Sequence, residues 1–129
     1  MDFQVRDYEC DLQGIVNNAV YQNYLEHARH QFLLERDVDF VALSEQGINL
    51  VVMRIEIDYK SPLRAGSHFW LGSRMKKISR LKFVFEQDIF LINSACSVEN
   101  LPVINAVVTG TAMNDAGKPV CFDGFNLSD

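Results

Sequence analysis

A polar loop with one carboxylate and one glycine precedes the longest predicted helix of the chain. Asp11 stands three residues before Gly14, and Asn18 follows where that helix is predicted to begin. The unpaired N–H groups and the positive dipole end of a helix stabilise an oxyanion that forms when a carbonyl is attacked. A carboxylate just upstream is placed for nucleophilic or general-base work. In the structural alternative, Asp11 stabilises a turn and Asn18 caps the helix.

The residues after Asn18 predict a long amphipathic helix that positions this loop. Apolar side chains recur at spacings of three and four, at Tyr21, Tyr24, Leu25, Ala28 and Phe32. The pattern persists to about Arg36, so we expect roughly 20 residues and a length near 30 Å. Asn17 or Asn18 would cap its start.

The rest of the chain predicts an antiparallel sheet. Alternating or valine-rich and threonine-rich segments predict strands at residues 3–8, 53–59, 69–78, 81–91 and 103–113, and a turn at 114–117 leads to residues 119–122. A looser helical stretch at residues 40–46 is closed by Gly47. Gln87 interrupts the apolar face of its strand. The order predicts an α+β fold in which one sheet covers one helix.

Composition limits the classes of protein to which the chain can belong. Its 129 residues match one domain, residues 1–129, without repeats or linkers. A net charge of −5 with dispersed Lys and Arg argues against binding of nucleic acid. The absence of a run near 18 apolar residues and of a signal peptide predicts a soluble, cytoplasmic protein that does not enter membranes. Three cysteines without a Cys-x-x-Cys pattern favour reduced thiols.

The loop and helix together carry a longer motif. Asp11-x-x-Gly14-x-Val16-x-Asn18-x-x-Tyr21-x-x-Tyr24-x-Glu26-x-Ala28-Arg29 is similar to the signature of the 4-hydroxybenzoyl-CoA thioesterase family, particularly its YbgC-like acyl-CoA thioesterases. Residues 85–89 resemble the family's third-strand pattern more loosely. The resemblance implies a hotdog fold, in which an antiparallel sheet wraps around one long central helix. It also implies dimers with continuous sheets and active sites shared between subunits.

Carried over by position, the resemblance assigns roles within the motif. Asp11 is the catalytic carboxylate, and the backbone N–H of Asn18 donates to the thioester carbonyl oxygen. Many relatives have histidine at the position of Asn18, and others have it at the position of Ile15. Because this chain has neither histidine, Asp11 must act alone, either by attacking the thioester to form a mixed anhydride or by activating water.

The substrate-binding residues in the motif are implied in the same way. Gly14 and Val16 would contact substrate from the loop. Because glycine has no Cβ, the backbone at Gly14 can approach a ligand closely. Tyr21 and Tyr24 would shape the acyl pocket or pack the helix.

Other ionisable residues on the helix have structural explanations. Glu26 lies eight residues beyond Asn18, roughly 12 Å along the axis, which is far from the proposed oxyanion site. We expect it to pair with Arg29 at the three-residue spacing. His27 and His30 have no third ligand in the sequence, so we predict a solvated helix face and no metal.

Coenzyme A carries phosphates, which require cations near the mouth of a pocket. Lys76, Lys77, Arg80 and Lys82 cluster around the end of the strand predicted at residues 69–78 and the start of the strand predicted at 81–91, where CoA phosphates bind in similar proteins. The structural alternative is a solvated surface cluster.

Together these patterns predict an enzyme that hydrolyses an acyl-CoA thioester to a free acid and CoA. No cofactor is expected, because coenzyme A is part of the substrate. An unpaired edge strand and a sheet too broad for one helix favour a homodimer or homotetramer. The alternatives are a thioesterase acting on acyl carrier protein, a noncatalytic acyl-CoA-binding module and, last, a hotdog hydratase or dehydratase.

Overall fold

A computed structural model describes residues 1–122, which form one antiparallel sheet and two helices. The elements are β1 Asp2–Gln4, α1 Asn18–Leu34, α2 Phe40–Glu45, β2 Asn49–Tyr59, β3 His68–Lys77, β4 Lys82–Ile92, β5 Val98–Met113 and β6 Pro119–Val120. The strand order is β1-β3-β4-β5-β2, and β6 pairs with the end of β5. The long helix α1 packs on the sheet, which confirms the predicted α+β hotdog arrangement. Neither helix in the described part of the chain is long and apolar enough to cross a membrane.

Local hydrogen bonds explain where α1 begins and ends. Asn17 has extended backbone angles, and its side-chain Oδ1 accepts from the N–H of Ala19, so Asn17 is the cap. The helix ends at Leu34, two residues before the predicted end. Asp37 takes a positive φ of 62° just afterwards, and the N–H of Val38 folds back to the carbonyl of Leu33.

Three predicted strand boundaries are wrong. The strand predicted at residues 3–8 covers only Asp2–Gln4, because the chain tightens into a 3-10 turn at Asp7–Glu9 in which Glu9 accepts from the N–H of Arg6. Both β2 and β5 start earlier than predicted, at Asn49 and Val98. Their first residues lack clear alternation, and pairing with Met113 and Ile92 respectively supplies the hydrogen bonds that hold them extended.

The core consists of two apolar clusters along α1. The first joins Tyr21, Tyr24, Leu25 and Ala28 of the helix to sheet residues such as Phe69, Ile89 and Ile104. The second gathers around the end of the helix and includes Leu33, Met75, Phe83, Phe85 and Val108. On β4 the second cluster includes Phe85 and the first includes Ile89. Gln87 is the buried residue of β4 between these two.

Gln87 is fully buried, and its amide joins three elements. Its Nε2 donates to the carbonyl of Leu25 on α1 at 3.0 Å and to Oγ of Ser73 on β3 at 3.1 Å. Its Oε1 accepts from the Arg29 guanidinium at 3.1 Å. The interruption of the apolar face is therefore a polar connection between the helix and the sheet.

We predict that Gln87→Leu lowers the free energy of unfolding by about 2 to 3 kcal/mol, because buried polar groups left without partners keep their full desolvation cost. Urea denaturation followed by circular dichroism measures the change. Gln31→Leu is the matched control, because Gln31 is exposed on α1, the helix to which Gln87 bonds, and its effect should stay within about 0.5 kcal/mol. Equal effects of the two substitutions would contradict the role assigned to Gln87.

Candidate active site

The Asp11 loop is a tight turn organised by Asp11 itself. The carbonyl of Asp11 accepts from the N–H of Gly14 at 3.0 Å, and Gly14 has a φ of 77°, which favours glycine. Oδ1 of Asp11 accepts from the N–H groups of Gln13 at 2.8 Å and Ile15 at 3.3 Å. The side chain is exposed, and Oδ2 makes no hydrogen bond within residues 1–122. One carboxylate oxygen stabilises the turn and the other faces outward.

The returning side of the loop is fixed to the core. Val16 is buried, and its N–H donates to the carbonyl of Leu63 at 2.8 Å. The hydroxyl of Tyr21 accepts from the N–H of the same Leu63 at 2.9 Å. Isolated bridges pair Cys10 with Val16 and Ile15 with Arg64. The turn is therefore held against both the helix and the segment before β3.

The first turn of α1 leaves one backbone donor available. The N–H of Asn17 donates to the carbonyl of Glu9, the N–H of Ala19 to Oδ1 of Asn17, and the N–H of Val20 to the carbonyl of Asn17. The N–H of Asn18 has no partner in the described part of the chain. Of the four donors that a helix start leaves unpaired, this is the one still free to bind an oxygen from outside.

A contact between Glu9 and Tyr24 supports this geometry and was not predicted from the sequence. The buried hydroxyl of Tyr24 donates to Oε1 of Glu9 at 2.8 Å. Burial, reinforced by this bond, raises the pKa of Tyr24 well above its usual value, so the phenol keeps the proton that it donates. Burial also raises the pKa of Tyr21. Fifteen residues separate Glu9 from Tyr24, and no local spacing pattern indicates the pair.

The structure therefore places both tyrosines in the first apolar cluster, where they pack the helix. This agrees with one of the two roles expected for them. Contact of Tyr21 or Tyr24 with an acyl group stays a prediction, as does contact of Gly14 and Val16 with substrate.

The four predicted phosphate-binding cations separate into two groups. Nζ of Lys76 lies 2.6 Å from Oε1 of Glu86, and this hydrogen bond holds the pKa of Glu86 below its usual value. Lys77, Arg80 and Lys82 instead line a small cleft beside Phe122, whose carbonyl accepts from Nζ of Lys77 at 3.4 Å. The prediction of phosphate contact stays open for these cations, although Lys76 already has a carboxylate partner.

The cations and Asp11 lie at opposite ends of the sheet. The Asp11 loop adjoins the start of β3, since Ile15 bridges to Arg64 and the N–H of Val5 donates to Ser67. Lys77 is the last residue of the ten-residue β3. At about 3.3 Å per residue, the strand separates the two by roughly 30 Å. One chain does not bring them together.

Glu26 and Arg29 form no close ion pair within residues 1–122, although Glu26 acts on the Arg29 guanidinium at longer range; burial is the larger effect and lowers the pKa of Arg29. Oε1 of Glu26 lies 3.8 Å from Nε2 of His30, one helical turn away, whereas Arg29 is buried and donates to Gln87. The ring of His27 packs against Phe3. Within residues 1–122, no group of three or more His, Cys, Asp or Glu side chains is arranged to hold a metal ion.

Comparisons with known proteins find relatives among thioesterases. The acyl-acyl carrier protein thioesterase ATL2 of Arabidopsis thaliana is 34% identical over 92% of this chain and 61% of its own length. The long-chain acyl-CoA thioesterase FadM of Escherichia coli is 31% identical over 68% of this chain and 66% of its own length. The chain spans about three fifths of the length of the first curated relatives that it matches.

Solved structures share the fold at lower identity. The 1,4-dihydroxy-2-naphthoyl-CoA thioesterase Slr0204 from Synechocystis has a TM-score of 0.84 at 16% identity, covering 95% of this chain and 87% of its own. The 4-hydroxybenzoyl-CoA thioesterase from Pseudomonas has a TM-score of 0.82 at 16% identity, and the match covers 94% of this chain and 90% of that protein's chain. These similarities show the hotdog fold.

A family model decides the assignment. The model described as the Thioesterase-like superfamily matches residues 5–114, which include the Asp11 loop, α1 and β2 to β5. The resemblance seen in the motif is thereby confirmed over most of the chain. The chain belongs to the Thioesterase-like superfamily.

Proposed function

We propose that the protein hydrolyses acyl-CoA thioesters to a free carboxylic acid and CoA, with Asp11 and the N–H of Asn18 as the reacting and stabilising groups. The observation that supports this most strongly is that Oδ2 of Asp11 and the N–H of Asn18 are both unpaired within residues 1–122, on one loop and helix start joined by hydrogen bonds. A carboxylate and an oxyanion donor are the two groups that thioester hydrolysis needs in the absence of a histidine.

The reaction has a simple balance. Water adds across the acyl carbon–sulfur bond, the hydroxyl stays on the acyl carbon, and the sulfur leaves with a proton as the thiol of CoA. Asp11 either removes a proton from the attacking water or attacks first to form a mixed anhydride, which water then hydrolyses. In both cases negative charge develops on the carbonyl oxygen, where the Asn18 N–H and the helix dipole stabilise it.

The remote cations fit this function through a second subunit. A thioester at Asp11 is roughly 30 Å from Lys77 of the same chain by strand length. In the proposed homodimer or homotetramer, we therefore assign Lys77, Arg80 and Lys82 to the phosphates of substrate bound at another subunit. The predicted cytoplasmic location stays a prediction, since the Arabidopsis relative is named as chloroplastic.

A second candidate substrate is the thioester of an acyl carrier protein. Its support is the 34% identity to the Arabidopsis acyl-acyl carrier protein thioesterase over 92% of this chain. The same cations would then face an acidic protein, against the net charge of −5 of the whole chain. Rates with acyl-CoA and with the matching acyl carrier protein, compared at equal acyl chain length, separate the two.

We predict that Asp11→Asn lowers kcat at least about 100-fold. Asparagine keeps an oxygen for the N–H groups of Gln13 and Ile15, so the turn should persist while the base or nucleophile is lost. Release of free acid from a panel of short, long and aromatic acyl-CoAs, followed by chromatography, avoids interference from the three cysteines. Equal hydrolysis by both proteins would rule out Asp11 as the reacting group. Binding without turnover in the wild type would support the noncatalytic alternative.

A proline at position 18 tests the oxyanion donor. The first position of a helix accepts proline well, and Asn17 before it has the extended ψ of 143° that a following proline requires. Asn18→Pro should therefore remove the N–H with little effect on folding and lower kcat about 100-fold to 1000-fold. Asn18→Ala keeps the N–H and should stay close to wild type. If the alanine variant loses as much activity as the proline variant, the side chain and not the backbone is required.

A further inference from the structure

Glu9 is a second carboxylate beside the candidate active site, two residues before Asp11. Its Oε1 accepts from the hydroxyl of Tyr24 and from the N–H of Arg6, both at 2.8 Å. The N–H of Glu9 donates in turn to the carbonyl of Arg6 at 3.0 Å. Glu9 is therefore fixed through both its side chain and its backbone, although it lies in the short turn between β1 and α1.

Tyr24 provides a rigid anchor for the carboxylate of Glu9. The tyrosine is 6% exposed, and the centroid of its ring lies 5.0 Å from that of Phe69 and 5.5 Å from that of Phe3. A ring packed in this way has little room to change rotamer, because a core contains few voids. Its hydroxyl donates to a carboxylate, and such a charge-assisted bond is stronger than one between neutral groups. The position of Glu9 is therefore tied to the apolar core.

The carbonyl of Glu9 extends this anchoring to the start of α1. It accepts from the N–H of Asn17 at 3.0 Å, and the carbonyl of Asn17 accepts from the N–H of Val20 at 2.9 Å. The carbonyl of Asn17 and the N–H of Asn18 belong to one planar peptide group. Bonds on both sides of Asn17 therefore fix the direction in which the N–H of Asn18 points.

The residues that follow Glu9 connect it to the Asp11 turn as well. Cys10 forms an isolated bridge with Val16, and the N–H of Asp11 donates to the carbonyl of Ile15 at 2.9 Å. Glu9 thus lies where the turn and the helix start are joined. A shift of its backbone would move both groups that the proposed reaction requires.

We propose that Glu9 is a positioning residue for the oxyanion donor of Asn18. Its carboxylate is fixed by the hydroxyl of Tyr24, and its carbonyl fixes Asn17, the residue before that donor. The inference rests on the proposed function, because it assigns Glu9 a role in that reaction. An oxyanion donor must be in place before charge develops on the substrate, and the bond between Glu9 and Tyr24 keeps it there.

Steady-state kinetics with acyl-CoA test this role, with circular dichroism to confirm folding. Tyr24→Phe keeps the ring and removes the hydroxyl. Its kcat should fall about tenfold, a part of the 100-fold or more that loss of an oxyanion donor costs, and its KM should stay within about twofold. Glu9→Gln keeps an oxygen for Tyr24 and should retain more activity than Glu9→Ala. If Glu9 were the reacting carboxylate, the glutamine and alanine variants would lose activity equally.

Amide hydrogen exchange followed by NMR tests the positioning without turnover. In Tyr24→Phe the N–H of Asn17 should exchange at least about fivefold faster than in the wild type, because its bond to the carbonyl of Glu9 opens more often. The N–H of Val16 is the reference within the same protein, since it bonds to the carbonyl of Leu63. Its exchange rate should not change.

Tyr8→Phe is the matched control, because Tyr8 adjoins Glu9 in sequence, is 76% exposed and uses its hydroxyl only to accept from Nη1 of Arg6 within residues 1–122. Its kcat and the exchange of Asn17 should match the wild type.

Three results would overturn the proposal: a wild-type kcat in Tyr24→Phe, equal losses of activity in Glu9→Gln and Glu9→Ala, or exchange of Asn17 that does not change relative to Val16. A bond that only stabilises the fold would give the first of these, with a lower free energy of unfolding. A wild type without turnover would instead refute the proposed function, and the exchange rates would still decide whether Glu9 and Tyr24 fix Asn17.

Discussion

The amide of Gln87 is the contact on which the arrangement of helix and sheet depends. It lies between the two apolar clusters in which α1 packs on the sheet. Apolar contacts have little directional preference, so by themselves they would let the helix slide along the sheet. The three hydrogen bonds of the amide, to Leu25, Ser73 and Arg29, have fixed geometry. Because leaving buried polar groups unpaired costs more than the bonds themselves contribute, these bonds favour one position of α1 along the sheet. The start of the same helix is joined to the Asp11 loop by the N–H of Asn17, which donates to the carbonyl of Glu9.

The loop and the helix start form a single hydrogen-bonded unit. Glu9 contributes its backbone carbonyl to Asn17 and its carboxylate to Tyr24, and Leu63 bonds both Val16 and Tyr21. Such a unit needs little rearrangement when charge develops on a substrate, which is the condition for electrostatic stabilisation. The structural role of Asp11 is compatible with the proposed chemical role, because Oδ1 holds the turn while Oδ2 has no hydrogen-bond partner within residues 1–122.

A single chain leaves two features of the sheet incomplete. The outer edge of β2 pairs with no strand within residues 1–122, and the cations around Lys77 lie at the far end of the sheet from Asp11. Each of these has a local explanation, but a second subunit would account for both at once. The small size of the domain contributes to this, because one helix cannot cover both the sheet face and its edge.

The sequence alone determined the order of elements, the faces of the strands and the candidate residues Asp11, Gly14 and Asn18, because these follow from periodicity and local spacing. It did not determine the length of β1, nor the choice of Asn17 as cap. Only the tertiary structure placed Arg29 against Gln87, Tyr24 against Glu9, and Lys76 against Glu86. Periodicity tells which face a residue occupies, but strand register and helix position decide which distant residue it meets there.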